Sequence, residues 1–209
     1  VNTTGVQNTA LGKNALKANT TAAYNTAVGQ DTLLLNTTGA QNTGLGQAAL
    51  NANTTGANNT SVGYDSLRVN TTGYQNTAVG ANALDSNTTS QDNTGIGYRA
   101  LEKTTTGIRN TAVGAAVMTN NTTGTLNTAV GFECLEANTT GQHNTALGRS
   151  AGSATTTGSN NIFIGHSATA NAGTDNAIVI GYDIGGDANR FMFGKASNRV
   201  YNDFTSNAS

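Results

Sequence analysis

The chain has 209 residues, 26 of them glycine, with no proline, no tryptophan and only 10% charged side chains. Its formal net charge is −1, eleven acids against ten bases, and no run of either sign supplies the footprint of a nucleic-acid or anionic-membrane partner. No apolar stretch reaches membrane-spanning length and no signal-peptide pattern opens the chain.

From Asn8 to Asn161 one block is written ten times at a period of seventeen residues. A fixed period in this range marks a repeat architecture. The copy Asn70–Ser86 defines positions 1 to 17 of the repeat. Asn occupies position 7 in all ten copies, Gly occupies position 11 from Gly12 to Gly165, and position 10 is always Leu, Val or Ile, from Leu11 to Ile164. Val1 stands inside a repeat, so the chain is expected to be a piece of a longer protein.

Most copies open on Asn-Thr-Thr-Gly, as in Asn36-Thr37-Thr38-Gly39, with both Thr columns filled throughout and the Gly replaced only by Ala22 and Ser90. This is turn chemistry, because Asn bonds its own backbone and Gly accepts positive φ. The turn leads into Asn-Thr-Ala-Val-Gly, a strand with β-branched residues at positions 8 and 10. In the tenth copy, Asn161-Ile162-Phe163-Ile164-Gly165, Ile stands at position 8 and again at position 10. That pair predicts an inward-facing Thr/Val side of the strand. The opposite side, Ala10, Ala27, Gly44, Ser61, Ala78, Gly95, Ala112, Ala129 and Ala146, is then a smooth outer face for close packing of chains about a symmetry axis. After the Gly, Ala-Leu at positions 14 and 15 predicts a second short strand, with Leu against the Val of its own coil. The Leu column lapses to Gly152 and Thr169 at the end of the array.

Seventeen residues are too few for a strand–helix unit and suit one coil of a parallel β-solenoid, stacked on the next at ~4.8 Å. The fold class is therefore all-β, ten coils making a rod roughly 50 Å long. Stacking aligns an Asn ladder, two Thr ladders and a Gly column, with amides hydrogen-bonding along the axis. Residues 1–170 form the repeat solenoid. Residues 171–190 hold an irregular last coil, Asn176-Ala177-Ile178-Val179-Ile180-Gly181, and a loop, Asp183–Asp187. Residues 191–209 carry three of the five Phe and read as an aromatic cap or junction, from Phe191 to Tyr201 and Phe204. Cys134 shares position 14 with alanines and reads as a small buried hydrophobe.

The block Asn-Thr-Thr-Gly-x-x-Asn-Thr-Ala-Val-Gly-x-x-Ala-Leu resembles repeats of phage tail fibres and related bacterial surface fibres. Asn176-Ala177-Ile178-Val179-Ile180-Gly181 is similar to head repeats of trimeric autotransporter adhesins, which are homotrimers of left-handed parallel β-rolls with a shorter repeat. The tail, Phe193-Gly194-Lys195-Ala196-Ser197-Asn198-Arg199-Val200-Tyr201, resembles the segment before the self-cleaving intramolecular chaperone of tail fibres and tailspikes. That chaperone is absent from this sequence, so none of its peptidase residues is carried over, and the resemblance leaves open whether processing falls near Ser209. It implies a homotrimeric fibre on a virion, or alternatively an adhesin head on a bacterial cell surface, with a host glycan or protein receptor as partner.

Little in the residues points to chemistry. Gly95-Ile96-Gly97-Tyr98-Arg99-Ala100 has the outline of a dinucleotide fingerprint but is the sixth repeat, without a strand–helix unit. His143 and His166 lie in different columns without metal-ligand spacing, and the Asp-rich nonapeptide of calcium β-rolls is missing. No nucleophile, acid–base pair or cofactor motif recurs, so no enzyme activity, metal or cofactor is expected. The Asn-x-Thr sequons at Asn2, Asn19, Asn36 and Asn53 are explained by the turn. Recognition belongs to the variable columns, because the ladders are the same everywhere. Position 12 offers Tyr64, Tyr98 and Phe132, and position 6 offers Tyr24, Arg109 and His143, as candidate receptor or glycan contacts. The Thr columns leave an ice-binding solenoid as an alternative from another class.

Overall fold

The computed structural model describes residues 2–203, apart from the side chains of Tyr201 and Asp203. Phe204 and Ser209 lie outside the described residues. The protein is an all-β parallel solenoid, without a helix among the described residues. Ten three-residue strands recur at the repeat period: β1 (Thr9–Leu11), β2 (Thr26–Val28), β3 (Thr43–Leu45), β4 (Thr60–Val62), β5 (Thr77–Val79), β6 (Thr94–Ile96), β7 (Thr111–Val113), β8 (Thr128–Val130), β9 (Thr145–Leu147) and β10 (Ile162–Ile164). Each pairs in parallel with the next without a slip, position on position, as in Thr77↔Thr94, Ala78↔Gly95 and Val79↔Ile96.

The stack continues past the regular repeat. After β11 (Thr169–Ala170) comes β12 (Ile178–Tyr182), which pairs in parallel with β10. The segment read as a loop contains β13 (Gly185–Gly186), paired with β11 in a separate two-stranded sheet. β14 (Arg190–Lys195) extends the main sheet in parallel, and β15 (Asn198–Asp203) closes it antiparallel. β14 and β15 thus form an antiparallel hairpin, with β15 the last strand of the sheet.

The facing of the strand is the reverse of the expectation. Position 9 points inward: Ala27, Ala78, Ala112 and Ala129 are fully buried, as are Ser61, Phe163 and Val179. Positions 8 and 10 point out, so Ile162 and Ile164 are each 36% exposed and Leu147 is 50% exposed. The reason is the width of the coil. Leu at position 15 crosses the interior and meets the strand from the far side, leaving room for little more than a methyl group at position 9. A Cβ added to Gly95 would lie 3.5 Å from Leu84 Cδ1.

The second strand predicted at positions 14 and 15 appears only in the tenth coil, as β11 (Thr169–Ala170); in the nine coils before it that arc is a run of turns. Position 13 and position 15 both take positive φ, as in Asn82 (58°) and Leu84 (52°). The turn bonds Ala83 N–H to Gly80 O (3.3 Å) and Asn87 N–H to Leu84 O (3.1 Å). It also reaches along the axis, Leu84 N–H donating to Ala100 O at 3.0 Å. A left-handed conformation costs a non-glycine residue roughly 1–2 kcal/mol. Leu33, Leu50, Leu67, Leu84, Leu101, Met118 and Leu135 all adopt it and are all fully buried, so burial outweighs the strain.

Two Asn columns line the remaining interior, and their hydrogen bonds follow the expected axial ladder. At position 1, Asn70 Nδ2 donates to Asn53 Oδ1 (2.8 Å) and to Gly73 O (3.0 Å) of its own turn. At position 7, Asn59 Oδ1 accepts from Asn76 N–H (3.0 Å), while Asn76 Nδ2 donates to Ser90 O (2.9 Å) in the following coil. Amides buried without such partners would be expensive. Of the two Thr columns, position 2 joins the ladder: Thr54 Oγ1 donates to Thr71 O at 3.0 Å. Position 3 is exposed in each coil. Gly at position 11 has a double cause. Gly80 has φ +133°, and a Cβ there would lie 2.5 Å from Gly97 O in the next rung.

Candidate binding surface

The exposed part of each coil is built from the strand and its two corners. Alternation along the strand puts positions 8 and 10 on the outside, giving two columns that run along the rod. One is Thr9, Thr26, Thr43, Thr60, Thr77, Thr94, Thr111, Thr128 and Thr145. The other is aliphatic and runs from Leu11 (67% exposed) through Leu45, Ile96, Val130 and Leu147 to Ile164. Val62, Val79 and Val113 in the same column are half-buried by their neighbours above and below. Phe193 in β14, 55% exposed, pairs with Ile180 and extends the column into the cap. The result is an apolar stripe continuous over the length of the sheet.

The six variable residues singled out from the sequence fall into two sets on either side of this strand. Tyr64, Tyr98 and Phe132 follow the Gly at position 11 and are all exposed. Tyr24, Arg109 and His143 precede the Asn at position 7, at the opposite corner, and are exposed as well. The two sets do not converge on one pocket; each forms its own ladder along the rod.

Neighbouring charges fix several of these side chains. Arg99 Cζ sits 6.0 Å from the centroid of the Tyr98 ring and bonds Glu102 Oε2 through Nε at 2.7 Å. That hydrogen bond raises the guanidinium pKa above its ordinary value. Arg149 stands 5.9 Å from the Phe132 ring centroid. Both distances are within the range of cation–π attraction. Arg109 Nε lies 3.7 Å from Asp92 Oδ2 in the preceding coil. Further along the position-12 column, His166 stacks on Tyr182 with ring centroids 5.0 Å apart, a contact between coils that reading the columns separately did not suggest.

Cys134 is buried, as its column predicts, and its thiol donates to the carbonyls of Val130 (3.3 Å) and Gly148. Among the described residues, no group of three His, Cys, Asp or Glu side chains is placed to hold a metal ion, and no helix is long and apolar enough to cross a membrane. Compared with protein-family models, curated proteins and solved structures, the chain matches none.

Proposed function

We propose that this chain is a segment of a homotrimeric fibre, of the kind found in viral tails, that attaches to a host cell surface. One observation carries the reading: the outer face of the sheet holds an uninterrupted aliphatic column beside its Thr column, with variable, exposed side chains at both corners. A contiguous apolar surface of this extent is uncommon on a monomer and marks an interface. Three copies set about a common axis would bury the Thr/aliphatic faces against one another and leave the corner columns exposed. This replaces the alanine face, which is spent inside the single chain.

The attachment mechanism is avidity. Each corner residue makes a weak contact, but three chains and ten or more rungs present many contacts at high effective concentration. The fibre acts as a spacer and a carrier, and carries out no chemistry. Whole-cell binding tests this. Fluorescently labelled chain is applied to a panel of bacterial strains and to a glycan array, alongside a variant lacking Tyr64, Tyr98 and Phe132. Binding to a subset of surfaces, weakened in the variant, is expected. Absence of binding to every surface overturns the attachment reading.

A second reading is favoured by one observation. The strand Thr column lies on the outer side of an in-register sheet, rather than in the turn, and so forms a regular array beside the aliphatic column. Such an array suits an ice-binding face. Thermal hysteresis separates the two readings: a freezing-point gap in dilute protein supports the ice surface, and its absence leaves the fibre.

A further inference from the structure

The position-12 column reads Tyr64, Ala81, Tyr98, Ala115, Phe132. Aromatic rings therefore recur on every second rung, with a methyl group between them. Strand pairing without a slip from β4 to β8 keeps these five residues in one line along the axis. Two rungs of parallel sheet measure ~9.6 Å, so the three rings stand in a straight row spanning ~19 Å. Tyr64, Tyr98 and Phe132 are 52%, 57% and 44% exposed. The Tyr98 and Phe132 rings are each flanked by an arginine.

From this we infer that the row is a binding platform for an extended β-1,4-linked polysaccharide, one aromatic ring to each disaccharide. The inference rests on the attachment reading and names its ligand class. In a β-1,4-linked chain each sugar is turned over relative to the one before, so the same ring face recurs at every second residue. That disaccharide repeat is close in length to two rungs. An apolar sugar face can then lie on Tyr64, on Tyr98 and on Phe132 in register, with the alternate sugars passing over Ala81 and Ala115. Aromatic rings supply a large apolar contact area at little conformational cost. The neighbouring position supplies polar partners for the sugar hydroxyls, namely Asp65, Arg99 and Glu133. An α-linked glucan coils, and its sugars leave a straight row after one or two contacts.

The test measures binding to soluble hydroxyethylcellulose by affinity electrophoresis and to cellohexaose by calorimetry, with amylose and dextran as α-linked comparators. The parent chain is expected to bind the β-linked ligands and not the α-linked ones. Tyr98→Ala should weaken binding about tenfold, the loss of one ring contact. A register variant, Tyr98→Ala with Ala81→Tyr, keeps three rings but breaks their even spacing, and should bind as weakly as Tyr98→Ala alone. Both substitutions lie on exposed or half-exposed side chains, and circular dichroism checks that the solenoid is intact. Equal binding of amylose, or full binding by the register variant, overturns the proposal. Binding to cells without any binding to β-linked glycans also overturns it, while leaving attachment standing.

Discussion

Gly152 and Phe163 exchange volume across the solenoid interior. A Cβ on Gly152 would lie 2.6 Å from Phe163 Cδ2 and 2.7 Å from Leu135 Cδ2. Position 15, Leu or Met in the eight preceding copies, becomes glycine in the coil where position 9 of the following strand becomes phenylalanine. Phe163 is fully buried and fills the space that a leucine would occupy. Phe163→Ala should therefore destabilise the chain by about 3–5 kcal/mol, because it leaves a cavity beside a glycine. Gly152→Leu alone should be disruptive, since overpacking here meets a rigid ring. The double variant restores the usual pairing of Leu with Ala and should recover most of the loss. A double-mutant cycle in chemical denaturation measures the coupling.

The leucines at position 15 hold a strained backbone for the sake of their side chains. At Leu84, with φ 52°, the usual ranking of small replacements should invert. Leu84→Ala removes the buried side chain and keeps the left-handed strain. Leu84→Gly removes the side chain and relieves the strain, worth roughly 1 kcal/mol. Both are expected to lose about 2–5 kcal/mol, with the glycine variant no less stable than the alanine one. Urea unfolding midpoints of the two variants check the order.

Two polar residues enter the core columns of a single coil together. Ser61 at position 9 and Ser66 at position 14 are fully buried, their hydroxyls bonded to each other and to the Ser66 and Gly63 carbonyls. Replacing one leaves the other short of a partner, whereas replacing both restores the alanines found elsewhere. Ser61→Ala should cost about 1 kcal/mol and the double alanine variant should be neutral or stabilising, as read from thermal midpoints.

Burial pushes the Cys134 thiol pKa above its ordinary value of 9.0, because the thiolate would be desolvated in the packed interior. A raised folded-state pKa contributes stability that is fully present below the unfolded value and is lost as pH rises beyond it. Stability should therefore hold at neutral pH and decline above about 9. At pH 8 a thiol reagent should label Cys134 only as fast as the surrounding coils open. Denaturant-dependent labelling rates check this, rapid labelling of the folded chain being the contrary result.

The period, the fold class and the register of every rung were legible because the position-7 Asn and position-11 Gly never slip. The facing of the strand was not, although the information was present. Ile162 suggested an inward position 8, while the residue that is fully buried in that strand is its neighbour Phe163. The lapse of the Leu column at Gly152 was the clue, since one large residue had to replace another. The buried Asn of position 7 points the same way, because positions 7 and 9 share a side of an extended chain. The turns at positions 13 and 15 were missed for a different reason. Leu seldom adopts positive φ, and at position 15 tertiary packing overrides that preference, whereas Asn14, Asp31, Asp65 and Asn82 at position 13 are a turn signal that the expectation of a strand passed over. The six candidate contacts lie on the exterior, in the two ladders that their columns, positions 12 and 6, already separate in the sequence.

In the proposed fibre the Thr/aliphatic strand face is covered by other copies of the same chain. Sedimentation equilibrium at micromolar concentration measures this most directly. A mass three times the 21.1 kDa of the single chain, reduced to one chain's mass by Val79→Glu together with Val113→Glu, is the expected result. A stable species of 21.1 kDa in the unmodified protein, with its aliphatic column open to water, would contradict it.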